Sequence, residues 1–135
     1  MLNQSFQNIN IAKKAMDGSW LRHEALSNNL ANVNTPGYKR EDVDFDQILG
    51  DFLTDNKVNM YKTNSKHFPV GGESLESLTP SVQKSTQMSY RKDGNNVNVD
   101  VEMAELAKNQ LKYNALTEQI NGQISRIKLA IRDGR

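Results

Sequence analysis

The segment from about Asp100 to Ile131 constrains this chain more than any other. Leu106, Tyr113, Leu116, Ile120, Ile124, Ile127 and Ile131 recur at intervals of three, four and seven, close to a heptad repeat. Asp100, Glu102 and Glu105 fall in the first turns, and Arg126, Lys128 and Arg132 in the last. Both ends therefore complement the helix macrodipole. Asp133-Gly134-Arg135 supplies the stop. A helix of about 30 residues is about 45 Å long, too long to be buried inside a small globule. Such a rod needs a partner.

The same chain offers one. From about Ser5 to Asn32, Phe6, Ile9, Ala12, Met16, Trp20, His23, Leu26, Leu30 and Val33 recur at helical spacing. The spacing predicts a second long helix with a bend or break near Asp17-Gly18, since glycine costs about 1 kcal/mol relative to alanine in a helix interior. Ile9, Met16 and Trp20 are expected to face Leu106, Tyr113, Ile120, Ile124 and Ile127 across a seam, with Trp20 and Tyr113 pairing in the helix–helix core.

The middle of the chain reads differently. Asp44-Phe45-Asp46-Gln47 has the spacing of a capping box at the start of a short helix, whose apolar face is Phe45, Ile48, Leu49, Phe52 and Leu53. Asp55 to Pro80 is polar, contains Gly71-Gly72, and reads as a loop. Short extended pieces are expected around Val82, Met88 and Tyr90, and a turn at Asp93-Gly94-Asn95-Asn96. The expected fold is mainly α. Two long terminal helices pair as an antiparallel coiled coil, with a short helix and a loop-rich middle containing little β. Residues 1–35 hold the N-terminal helix and an Asn-rich turn, 36–99 the middle, and 100–135 the C-terminal helix, with the two ends forming one coiled-coil unit.

Composition narrows the function classes. In 135 residues, 17 Lys plus Arg nearly balance 16 Asp plus Glu, which argues against electrostatic binding to nucleic acid or an anionic membrane. The apolar share of 36% suits a subunit that buries its apolar face on assembly, and equally a partly disordered monomer. Without cysteine there is no disulfide framework and no thiolate chemistry. The acidic run Glu41 to Asp46 fails as a calcium loop. Counted from Asp42, the required Gly and Glu positions hold Gln47 and Leu53. His23 and His67 lie on separate segments, and no nucleophile–base motif or phosphate-cradling loop stands out. Neither catalysis, a metal, a cofactor nor a small-molecule substrate is expected. The first residues lack a basic region followed by an apolar core, so no cleaved secretory signal is expected.

One string remains unexplained by these generalities: Leu26-Ser27-Asn28-Asn29-Leu30-Ala31-Asn32-Val33-Asn34-Thr35-Pro36-Gly37-Tyr38-Lys39-Arg40. It ends an apolar stripe in a run of asparagines, and Pro36-Gly37 suits the central positions of a type II turn, where only the second needs a positive φ. Asn28, Asn29 and Asn32 are expected to satisfy backbone groups of a neighbouring chain and so fix its registry.

The string closely resembles the N-terminal signature of bacterial flagellar axial proteins, the family of rod and hook subunits. Leu26, Ser27, Asn29, Leu30, Ala31, Asn32, Thr35, Pro36, Gly37 and Tyr38 carry the match. A second block, Asp93 to Ala107, followed by Asn109, Leu111, Tyr113 and Ala115, is similar to the proximal rod members, as is Thr63 to Phe68 around His67. Asn98 stands where those members usually carry Asp. The resemblance implies a structural rod subunit that assembles helically and transmits torque across the periplasm. It also implies export through the flagellar type III apparatus without a cleaved signal. The implied partners are copies of the chain, the second proximal rod protein, the small rod-base adaptor, and the export gate and MS ring. The alternatives are the other small proximal rod protein, or a secretion chaperone built as a helical hairpin.

Overall fold

A computed structural model of the chain describes residues 2–55, 75, 78–86, 89 and 91–132. It is mainly helical. In chain order it contains α1 (Leu2–Ala31), β1 (Glu41–Asp42), α2 (Phe45–Asp55), β2 (Gln83–Lys84) and α3 (Val99–Arg132). β1 and β2 form a two-residue antiparallel ladder with Glu41 opposite Lys84 and Asp42 opposite Gln83. The extended pieces expected around Met88 and Tyr90, and the loop glycines Gly71-Gly72, lie outside the described residues.

The terminal helices run antiparallel, and polar contacts give their register. Ser19 meets Asn109, Arg22 meets Glu105, and Asn29 meets Glu102, so α1 rises as α3 descends. Asn98 starts α3 as its N-cap. Its side-chain oxygen accepts from the backbone N–H of Asp100 at 3.0 Å and of Val101 at 3.5 Å.

The buried face of α1 is not centred on the large apolar stripe. Ala12, Ala15, Gly18, Ser19, Ala25, Leu26 and Asn29 are buried, while Trp20 is 62% exposed and Phe6 is 52% exposed. Small residues let two neighbours, α3 and α2, approach α1 closely, and this pushes the bulky side chains to the rim. The same shift operates on α3, where Glu102 and Asn109 are its buried residues. Leu106, Tyr113, Ile120 and Ile127 are half-buried, and Ile124 is exposed. Trp20 and Ile124 therefore do not sit in a closed seam. Trp20 and Tyr113 do pair, ring centroids 6.4 Å apart and tilted by 50°, but at the rim of the helix pair.

Gly18 does not break α1, which is continuous from Leu2 to Ala31. A Cβ at position 18 would overlap the ring of Phe45. The glycine is where α2 enters, and the buried Phe45 ring occupies the space. Around this contact Ala15, Ala25, Val43, Phe45, Leu49 and Leu78 form the apolar core, with Ile11, Leu21, Ile48, Phe52, Leu75 and Leu116 packed against it. Leu78, in the stretch expected to be a polar loop, is thus a core residue, and its carbonyl accepts from Lys14 Nζ at 2.9 Å.

Candidate functional site

The motif residues and the 91–102 segment meet where α1 ends and α3 begins. Leu26 is buried, and the Ser27 hydroxyl donates to the His23 carbonyl one turn earlier. Leu30 is half-buried and Ala31 closes the helix. Asn32 Nδ2 donates to the Asn28 carbonyl, and its Oδ1 accepts from the Thr35 hydroxyl. The Tyr38 N–H donates to the Thr35 carbonyl across Pro36-Gly37, and Gly37 has φ +73°, as a type II turn requires.

A second turn docks on the first. The Gly94 N–H donates to the Arg91 carbonyl, Gly94 has φ +75°, and the Gly37 N–H donates to the Asp93 carbonyl at 2.8 Å. Asn95 then points its amide into the end of α1. Nδ2 lies 2.9, 3.0 and 3.0 Å from the carbonyls of Asn32, Val33 and Thr35, and the side chain is 0% exposed. Carbonyls left without helical partners at a C-terminus need donors, and here residues some sixty positions away in sequence supply one. Arg91 Nη1 adds a bond to the Val33 carbonyl, and Lys39 Nζ donates to the Gly94 carbonyl.

Asn29 does the corresponding work one helical turn below. Fully buried, it treats Glu41 as a strand would: Oδ1 accepts the Glu41 N–H at 2.8 Å and Nδ2 donates to the Glu41 carbonyl at 2.7 Å. Nδ2 also donates to Glu102 Oε2, and Tyr38 Oη donates to Oδ1. Of the asparagines expected to reach a neighbouring chain, Asn28, Asn29 and Asn32, the side chains of Asn29 and Asn32 bond within their own chain, and Asn28 is exposed. Two short strands give β1 few backbone partners, and the Asn29 amide supplies the missing ones.

Charge is concentrated at the same point. Glu102, 1% exposed, accepts from Arg40 Nε at 2.5 Å. Arg40 also pairs with Asp42 at 2.8 Å, and its main-chain N–H donates to Asn96 Oδ1. Glu102, expected to complement the α3 dipole, also balances the Arg40 charge. Burial pushes Asp42 upward. The Arg40 hydrogen bond, the Val43 N–H and the charges of Arg40 and Arg22 outweigh it, holding the carboxyl below its usual range. Burial likewise opposes the Arg40 charge, and Glu102 and Asp42 overcome it, raising the Arg40 pKa. Burial first, then Glu41 and Glu102, raise the Tyr38 phenol.

Sequence reasoning missed Ser19, Arg40, Asn95 and Asn109 as structural anchors. Ser19 Oγ donates to Asn109 Oδ1, and Asn109 Nδ2 donates to the Ser19 carbonyl, both at 2.9 Å and buried. The signal available was the seven-residue spacing of Glu102, Asn109 and Leu116. Among the described residues no group of three His, Cys, Asp or Glu could hold a metal ion, and no helix is long and apolar enough to cross a membrane.

A family model described as "Flagella basal body rod protein" matches residues 9–39. The flagellar basal body rod protein FlgB of Bacillus subtilis is 33% identical over 135 residues, covering 100% of this chain and 98% of that protein. FlgB of Aquifex aeolicus is 31% identical over 130 residues, 94% of each chain. FlgB of Proteus mirabilis is 29% identical over 141 residues, 99% of this chain and 100% of that protein. Likeness of this degree over the full length shows that the chain belongs to the FlgB family of flagellar basal body rod proteins, structural subunits of the basal-body rod.

Proposed function

We propose that the chain is a subunit of the proximal rod, assembling helically with copies of itself and transmitting torque across the periplasm. Its neighbours on this reading are the second proximal rod protein, the small rod-base adaptor, and the export gate with the MS ring. It would reach them through the flagellar type III apparatus with its N-terminus uncleaved. It has no catalytic role. Residues 1–35 and 100–135 act as one packed unit, and 36–99 form the part that leaves it. The assembly motif from Leu26 to Tyr38 sets the direction of departure.

The observation that carries this reading is the junction of both helices with the exit turn. Asn29, Arg40, Asn95 and Glu102 tie α1, β1, the 91–97 segment and α3 together, so the angle at which the middle leaves the pair is fixed by hydrogen bonds. Repeated identical subunits need that angle to be the same in every copy, since a heterologous contact that does not close builds a filament only if each step repeats. The test is complementation of a flagellated host lacking its own FlgB. The chain with Asn29→Ala should be synthesised but give few basal bodies and little swimming. Normal basal bodies and normal motility with that variant would overturn the reading.

A further inference from the structure

One feature of the helix pair takes no part in the exit junction. Trp20, His23, Gln110 and Tyr113 wall a notch of about 80 Å³ with Asn109 at its floor. Trp20 stacks on His23 with centroids 6.2 Å apart and is 62% exposed, an unusual state for the only tryptophan in the chain. Asp17 and Glu24, three before and four after Trp20, lie on the same outward face of α1 and are exposed. Among the described residues neither makes an ion pair. An exposed indole framed by carboxylates is suited to a cation, above all a guanidinium, which can lie on the ring face while bonding a carboxylate.

The complementary surface is on the same chain. From residue 119 to the end of α3 there are Arg126, Lys128 and Arg132 and no acidic residue, and α1 from Leu2 to Met16 carries Lys13 and Lys14 and no acidic residue. Arg126 and Lys128 are exposed and make no ion pair among the described residues. Leu129, three residues beyond Arg126 on one face, is 49% exposed, and a Cβ at Gly122 on that face would meet nothing within 4 Å. Arg126 cannot reach the notch of its own chain. It lies 13 residues along α3 from Tyr113, about 20 Å at the helical rise.

We infer that the Trp20 notch receives Arg126 from a second copy of the chain, with Leu129 packing beside it and Asp17 and Glu24 neutralising the basic end. This rests on the self-assembly reading above and specifies its contact. Copies in the same orientation joined this way are offset by about 20 Å along the helix axis. The contact is heterologous, and each subunit presents the notch to one neighbour and Arg126 with Lys128 to the next.

The test places a photo-reactive amino acid at Gln110 in the full chain, expressed in a flagellated host lacking its own FlgB. The expected product joins position 110 to residues 119–132 of another copy. Asp17→Lys with Glu24→Lys should lower its yield about tenfold, as should Arg126→Glu with Lys128→Glu, and the four changes together should recover part of it, because charge pairing returns without a guanidinium on the indole. These positions are exposed, so each variant should keep wild-type helix content, which circular dichroism checks. If the chain enters basal bodies but position 110 joins another surface or another protein, this contact is overturned and the rod reading stands. If the chain does not enter basal bodies, both fall.

Discussion

Asn95 brings one amide group within 3.0 Å of three carbonyls, each of which has a second donor in the Thr35 N–H, Arg91 or the Tyr38 N–H. Its removal takes the buried side-chain donor from the end of α1, and with the turn N–H groups and Arg91 still in place the cost is about 1 kcal/mol. Asn95→Ala should therefore lower stability by that amount in urea unfolding. Asn95→Asp, nearly the same shape, should cost more, because it sets a carboxylate oxygen against the carbonyls of Asn32, Val33 and Thr35. Gly18 makes an opposite point. Alanine normally stabilises a helix relative to glycine by about 1 kcal/mol. Here the added Cβ would overlap the Phe45 ring, so Gly18→Ala should destabilise by about 1–3 kcal/mol. Pairing it with Phe45→Leu should recover part of the loss. Asp42 gives a pH signature. Its folded pKa is lowered, so its contribution is complete above the unfolded carboxylate range near 3.8 and is lost as pH falls through the folded value. The melting-temperature difference between wild type and Asp42→Asn should be constant near neutrality and shrink below about pH 4.

At the scale of elements, the two long helices are held in register by polar groups more than by the isoleucines. Leucine and isoleucine packing tolerates sliding by a turn, whereas the paired Ser19 and Asn109 bonds are satisfied at one alignment. Asn109→Ala should cost about 1–3 kcal/mol, since it leaves the buried Ser19 hydroxyl without its acceptor and the Ser19 carbonyl with only its helical bond. Ser19→Ala combined with Asn109→Leu should cost much less than the sum of the single changes. A double-mutant cycle on thermal unfolding measures that coupling. Regained stability in the double variant should come with loss of a unique register, read as broadened or doubled amide resonances along α3. The Glu102–Arg40 pair acts between elements in the same way. Arg40→Ala leaves the buried Glu102 carboxylate without its charged partner, so it should loosen β1 and the start of α3 together.

Across the whole molecule, the helix pair and its antiparallel sense were legible from the sequence, because two apolar stripes of matching length in so short a chain have only each other to cover them. The start of α2 after Asp44 and the turn at Pro36-Gly37 were legible for local reasons, a cap and a positive φ. The rotation of each helix about its own axis was not. Apolar periodicity points to the large residues, yet Ala12, Ala15 and Gly18 decide how close a neighbour comes, and two neighbours share α1. Long-range hydrogen bonding was equally hidden. Asn95 and Arg40 look like turn and surface residues until the chain is closed, and the partners of Asn95 lie about sixty residues away.

The docking of one turn on the other has a further consequence. Because the Gly37 N–H bonds the Asp93 carbonyl and Asn95 reaches back to Thr35, the chain between positions 38 and 92 is a loop closed at its base. The entropy of closing a loop grows only with the logarithm of its length, about 0.6 kcal/mol for each doubling. Material added inside such a loop places little load on the hinge that closes it. Length added between Asp55 and Leu75, beyond the part of the middle that packs on α1, would leave the bonds of this junction unchanged.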